Sequence, residues 1–168
     1  MLTAQAIIKK LGLKPLTIEG GYYRETYRSP ESIGSNALPQ RYGRRKCFGT
    51  AIYYLLTPDT FSTIHKVSSD ETFHFYLGDP VTMLQLYPKG KGKICTLGQD
   101  ILHGQLVQVT VSRQVWQGCM LKTGGSFALL GTTVAPGFDF SDYREGMRDE
   151  LVKKYPGYRK MIVQLTRQ

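Results

Sequence analysis

Apolar positions along the chain follow two rhythms. Between residues 4 and 13, Ile7, Ile8 and Leu11 recur at the spacing of one helical face, so a short amphipathic helix is predicted before Pro15. From Tyr22 onward the period shortens. Segments 22–27, 49–56, 61–66 and 72–77 are rich in aromatic and β-branched residues and bounded by Gly, Pro or Asp, the signature of strands. Segments 81–87, 93–97, 106–111, 117–122, 126–132 and 161–166 carry it too. After Gly146, Met147, Leu151 and Val152 alternate with charged residues until Pro156, which predicts a second helix. Residues 29–46, punctuated by Pro30, Gly34, Pro39 and Gly43 and basic at their end, read as a mobile surface loop.

Many short strands without interleaved helices predict a mainly all-β sandwich or barrel with short helices near both ends. The chain has 168 residues and no internal repeat, and residues 1–168 are read as one domain. An apolar content of 41% and a charged content of 21% argue against global disorder. No apolar run reaches the roughly 18 residues needed to span a bilayer, so no membrane partner is expected. Lys9 and Lys10 follow a short apolar stretch, whereas a secretory signal places its charge before a longer one, and a cytoplasmic location is expected. Cys47, Cys95 and Cys119 are odd in number and widely spaced, which fits neither a disulfide framework nor a zinc ribbon. Cys95 and Cys119 lie in apolar strand-like runs and are expected in the core.

Charge narrows the partners only coarsely. A formal charge of +9, from 22 Lys and Arg against 13 Asp and Glu, favours anionic partners through long-range attraction. The positive residues gather in Arg41-Tyr42-Gly43-Arg44-Arg45-Lys46, in Lys89-Gly90-Lys91-Gly92-Lys93 and in Lys153, Lys154, Arg159 and Lys160, all read as loops or solvated faces. No helix-turn-helix, zinc-finger or RNP signature accompanies them, so specific nucleic-acid recognition is not expected.

Histidine chemistry has three places to reside: His65, His74 and His103. His65 ends one predicted strand and Glu71 opens the next, across Val67-Ser68-Ser69-Asp70. Two strands joined by a tight turn keep such residues close, and a His beside a carboxylate serves as an acid/base pair or as part of a metal shell. Alternation sends Phe73 and Phe75 to the face of Glu71, and His74 and Tyr76 to the other; all four are candidate ligand contacts. His103, in a loop, is expected to be exposed and uninvolved.

The stretch 61–78 resembles the first motif of the cupin superfamily, in which a His-x-His pair, a Glu and a terminal Gly build one wall of the site. His65 falls on the first His, Glu71 on the Glu and Gly78 on the Gly, while Val67 stands at the second His. The second cupin motif ends in Pro-x-Gly-x-x-His; here Ser112-Arg113-Gln114-Val115-Trp116-Gln117 replaces its marker residues, with Gln117 at the last His. The likeness is longer within one branch, domain-of-unknown-function family 985, also called cupin family five. Glu19-Gly20-Gly21-Tyr22-Tyr23-Arg24-Glu25-Thr26-Tyr27-Arg28, Thr50-Ala51-Ile52-Tyr53-Tyr54-Leu55-Leu56, Asp70-Glu71-Thr72-Phe73-His74-Phe75-Tyr76 and Val134-Ala135-Pro136-Gly137-Phe138-Asp139-Phe140 are similar to its blocks. The resemblance implies a double-stranded β-helix or jelly-roll barrel, a homodimer and a small-molecule pocket in the barrel mouth.

Three functions fit these residues. The first is a binder of a small polar or anionic ligand, a sugar, nucleotide or carboxylate, held by His65, Glu71 and Gln117, with Arg24 as an anion contact. The second is a sugar epimerase of the dTDP-rhamnose type, which Ile64-His65 resembles at the catalytic base; Leu130 stands where that family has its Tyr and Glu71 where it has a Lys. The third is a metal-dependent oxygenase with a divalent ion at His65 and Glu71. Cupin metal sites of that kind use three His and one Glu, and the neutral amide of Gln117 binds transition metals weakly, so no cofactor is expected.

Overall fold

The computed structural model describes residues 2–167; Met1 and Gln168, which the one-domain reading includes, lie outside the described residues. Helix α1 (Ala4–Leu11) is followed by β1 (Lys14–Pro15), β2 (Tyr22–Arg28), β3 (Ser32–Ile33), β4 (Lys46–Cys47), β5 (Thr50–Leu56), β6 (Phe61–Lys66) and β7 (Asp70–Gly78). Next come β8 (Val81–Leu86), β9 (Gly92–Leu97), β10 (Gln108–Val111), β11 (Trp116–Leu121), β12 (Ala128–Ala135), β13 (Arg144–Glu145), α2 (Arg148–Lys154) and α3 (Arg159–Gln164). One sheet has the order β1-β2-β5-β12-β7-β10 and the other β13-β6-β11-β8-β9, with β3 and β4 as a separate ribbon. Strands β5, β6, β7 and β8 alternate between the two sheets, so each connection crosses the barrel instead of closing a hairpin. This corrects the expected β6–β7 hairpin: His65 and Glu71 meet across the barrel, not along one ladder.

Three apolar layers hold the sheets in place. Between them lie Leu56, Phe73, Phe75, Met83, Val111 and Leu130, all buried. The back of the five-stranded sheet, through Ile64, Leu84 and Leu86, packs on Leu151, Tyr155, Ile162 and Leu165 of the C-terminal helices. The back of the six-stranded sheet, through Leu55 and Leu129, packs on Ala4 and Ile7 of α1. Helix α1 starts where the Thr3 hydroxyl accepts from the Ala6 amide and stops at Gly12, whose left-handed backbone suits glycine.

Two expectations fail for physical reasons. Residues 161–166 are not a strand: α3 uses the spacing of Ile162 and Leu165 to cover Ile64 and Leu84, and tertiary packing outweighs the β-preference of Ile162 and Val163. Residues 29–46 are not an irregular loop either, since β3 pairs with β4 and Tyr42 is buried. Lys46, at the end of the basic run, is 3% exposed and donates to Asp142 at 2.5 Å, so it is a buried ion pair and not a solvated charge. Of the two cysteines expected in the core, Cys119 is buried and Cys95 half-buried.

Removing one partner of a buried ion pair leaves the other charged and unpaired. The Lys46→Met change is therefore expected to cost about 3 kcal/mol or more in denaturant unfolding. A change within a few tenths of a kcal/mol would show that the pair is solvated.

Candidate functional site

The site begins with an irregularity in β6. His65 pairs with Gln117 and Ser62 with Cys119, so three steps on β6 oppose two on β11, a β-bulge with its extra residue at Thr63 and Ile64. The bulge lets Ile64 pack outward on the helices while Ser62 and His65 both face the interior. Its backbone groups find partners off the ladder. The Thr63 amide donates to the Glu19 carbonyl at 2.8 Å, and the Ile64 amide to the Leu165 carbonyl at 2.8 Å. The Ile64 carbonyl accepts from Gly146 at 2.8 Å. The Thr63 carbonyl accepts from His65 Nδ1 at 2.8 Å. Opposite the bulge stands Gly118, where a Cβ would lie 2.9 Å from Ile64 Cγ1 and 3.0 Å from the Ser62 carbonyl.

Because a carbonyl only accepts, the bond to Thr63 places the proton of neutral His65 on Nδ1 and leaves Nε2 as an acceptor facing inward. The ring is 2% exposed and stacks on Tyr143, with centroids 4.9 Å apart and planes inclined by 21°. The Tyr143 hydroxyl donates to the Ile18 carbonyl at 3.0 Å, which fixes that stack; burial, then Glu19 and Glu145, raises its pKa. Two carboxylates approach Nε2: Glu19 Oε2 at 3.9 Å and Glu71 Oε2 at 4.0 Å. Both distances exceed a hydrogen bond. The charge-assisted His65–Glu71 bond that proximity suggests is therefore absent, and Gln117 stands between the two. Its Nε2 donates to Glu71 Oε2 at 2.6 Å and lies 3.5 Å from His65 Nε2. Gln117 also pairs with Gln85 on β8, so His65, Gln117 and Gln85 form a polar row across three adjacent strands.

Glu19 reaches the cluster because Gly20 brings its segment against β6. Gly20 has φ +108°, and a Cβ there would lie 2.1 Å from the Phe61 carbonyl. Ser62 Oγ then donates to Glu19 Oε1 at 2.6 Å, leaving Oε2 turned toward His65. His65, Glu19 and Glu71 open onto a cavity of about 340 Å³ with walls that include Leu16, Ile18, Tyr23, Ile52, Val134 and Phe138. At its rim Arg28 grips Glu25 through two hydrogen bonds of 2.9 and 2.7 Å and donates to the Phe138 carbonyl.

The remaining expected contacts lie elsewhere. Phe73 and Phe75 share the interior face with Glu71 but belong to the packed core and do not line the cavity. His74 and Tyr76 are on the outer face, as alternation requires; His74 is bonded to Thr133 at 2.9 Å and to Gln108 at 3.1 Å. Arg24 is exposed, its guanidinium over the Tyr53 ring, and Arg28 is the cavity's guanidinium instead. A bulge between Glu25 and Tyr27 turns Arg28 to that face. His103 is exposed and held by Asp100. Sequence reasoning missed Glu19, Arg28 and Tyr143 as site residues. Gly20-Gly21 after Glu19 was the one available signal of a close backbone approach.

A barrel of two antiparallel sheets with a polar cluster at one end of its interior is the architecture of the cupins. The model of the cupin superfamily family DUF985 matches residues 5–145, and the chain belongs to that family. An uncharacterized protein of Saccharomyces cerevisiae is 32% identical over 136 residues, which take in 74% of this chain and 66% of the yeast protein, just under two thirds of its length. A hypothetical protein from Leishmania major superposes with a TM-score of 0.88 at 29% identity, covering 99% of this chain and 100% of that one. Protein SO0799 from Shewanella oneidensis gives 0.87 at 29% identity, with 99% of each chain covered. Oxalate decarboxylase from Bacillus subtilis shares the fold alone, with a TM-score of 0.52 at 14% identity over 88% of this chain and 35% of that one.

The Bacillus subtilis enzyme has Mn(II) centres. The side chains here do not fit the set of three His and one Glu that the cupin resemblance implies for a metal site. Val67 offers no ligand, and Gln117 turns its amide donor to Glu71. Among the described residues no group of three or more His, Cys, Asp or Glu is arranged to hold a metal ion.

Burial raises the pKa of Glu71 from its ordinary value; His65 lowers it, Glu19 raises it further, and hydrogen bonds from Thr132 and Gln117 lower it. A carboxyl whose pKa is higher folded than unfolded contributes stability that is full below the unfolded pKa and is lost as pH rises through the folded one. Glu71→Gln removes that loss. The variant's stability relative to wild type is therefore expected to increase as pH rises from about 4, the unfolded value, through the raised folded pKa, in paired melting curves. A relative stability that falls over that range would reverse the sign of the shift.

Proposed function

We propose that the protein binds a small polar organic molecule in the barrel interior, where His65 and Glu71 contact it and can exchange a proton with it. One observation carries this reading: a buried imidazole, anchored through Nδ1, turns Nε2 into a 340 Å³ cavity that two carboxylates also face. The volume is at the lower end of small-molecule sites, and mostly apolar walls with a few convergent polar groups are their usual make-up. Burying His65, Glu71 and Gln117 together gives little stability that apolar residues of the same size would not give, so binding is the better reason for the cluster. Gln117 acts behind the ligand, holding the Glu71 carboxylate in place through its 2.6 Å bond.

The epimerase alternative gains no support from the geometry. Leu130, at the position of that family's Tyr, is a fully buried core side chain, and the ring beside His65 is Tyr143, with its hydroxyl engaged by Ile18.

A thermal-shift screen of polar metabolites against wild type, His65→Ala and Glu71→Gln tests the proposal. Compounds that stabilise the wild type are expected to bind both variants about ten- to a hundredfold more weakly, the loss of one hydrogen bond to a charged group. Compounds that bind all three proteins equally would reject these two residues as ligand contacts.

A further inference from the structure

We infer that the ligand of this cavity is a cation, an organic amine with a primary ammonium group and a compact apolar or aromatic body. This rests on the ligand-binding reading above and reverses the anionic preference that the overall charge of +9 suggests.

The cavity has the opposite sign to the molecule. Glu19, Glu25, Glu71 and Asp139 line it against a single guanidinium, Arg28. Arg28 is not free to receive an anion, because it holds Glu25 through bonds of 2.9 and 2.7 Å and donates to the Phe138 carbonyl. At the rim, Asp139 accepts from Ser141 and lies 3.8 Å from Arg44. At the inner end Glu19 and Glu71 have no Lys or Arg partner within ion-pair distance among the described residues; the ring they share is His65, 3.9 and 4.0 Å away.

The second observation is the chemistry of that inner end. His65 is 2% exposed and its Nδ1 donates to Thr63, so in the neutral ring Nε2 presents a lone pair between Glu19 Oε2 at 3.9 Å and Glu71 Oε2 at 4.0 Å. Three acceptors converge at separations too long for hydrogen bonds among themselves. The nearby donor, Gln117 Nε2, gives one N–H to Glu71 at 2.6 Å and reaches His65 Nε2 only at 3.5 Å, the long limit of a hydrogen bond. A primary ammonium carries three donors and no acceptor, the complement of this set, whereas a carboxylate or phosphate would face acceptors on every side. Ile18, Ile52, Val134 and Phe138 give the rest of the molecule an apolar wall, and the aromatic rings Tyr23 and Phe138 favour positive charge at their faces. A volume of about 340 Å³ suits a single-ring amine better than a nucleotide.

The test compares three probes of one shape on the full chain: 2-phenylethylamine, 2-phenylethanol and phenylacetate, titrated while the imidazole NMR signals of His65 are followed. The amine is expected to move those signals and to bind about tenfold or more tightly than the alcohol or the acid. Glu19→Gln, and independently Glu71→Gln, are expected to weaken the amine by a similar factor and so to remove its advantage over the alcohol. Phenylacetate binding at His65 as tightly as the amine would overturn the cation assignment and leave the cavity reading standing. Equal amine binding by wild type and both variants would also overturn it. If none of the probes moved the His65 signals, the cation assignment and the cavity reading would fall together.

Discussion

The extra residue in β6 sets the phase of everything around it. Without the bulge at Thr63 and Ile64, strict alternation from Ser62 would turn His65 to the helix-covered face and leave Ile64 in the polar interior. The bulge also frees backbone groups that the sheet cannot satisfy, and a buried unpaired amide or carbonyl is costly. Those groups recruit three distant segments: the turn that carries Glu19, the end of α3 at Leu165, and Gly146 beside β13. One local irregularity thus orients the imidazole, brings a carboxylate to it and docks the C-terminal helices. Gly118 and Gly20 make room for it, the first opposite the bulge and the second where the Glu19 turn crosses Phe61.

The barrel divides its interior by chemistry. Phe73, Phe75, Met83 and Leu130 fill one part as an ordinary packed core. At the other end Ser62, His65, Glu71 and Gln117 are buried among polar partners, with Glu71 held at a raised pKa by its own desolvation. A second buried charge pair, Lys46 with Asp142, belongs to the frame, because Asp142 also accepts the Asp139 amide and so shapes the segment at the cavity rim. The two buried clusters differ in how completely they are paired. Lys46 and Asp142 satisfy each other, whereas Glu19, His65 and Glu71 present acceptors to a shared space.

Much of the fold was legible in the sequence, and the reason is local. Helices α1 and α2 and most strands follow from apolar spacing and from Gly, Pro and Asp punctuation, which act within a few residues. Helix α3 did not follow, since Ile162 and Val163 are good strand formers and only contact with Ile64 and Leu84 decides for helix. The site was half legible. His65 and Glu71 were read from their closeness across a short turn and from likeness to the first cupin motif, Gln117 from likeness to the second, and the structure brings these three side chains together. Tyr143 was invisible because its hydroxyl meets a carbonyl 125 residues away in the chain, and Arg28 because a bulge in β2 shifts its face. Arg24, His74 and Tyr76 show the limit of assigning ligand contacts within a motif: all three have the right chemistry and point away from the cavity.

The central claim is that the bulge fixes the tautomer of His65: in the neutral ring the proton is on Nδ1, and Nε2 is turned toward Glu19 and Glu71. Long-range proton–nitrogen NMR of the imidazole reads this directly, on protein held alkaline enough for the ring to be neutral. The account predicts a protonated Nδ1 and an unprotonated Nε2 in the wild type, with that pattern lost when Gly118→Val forces the bulge open. A wild-type ring protonated on Nε2, or a pattern indifferent to Gly118→Val, would contradict it.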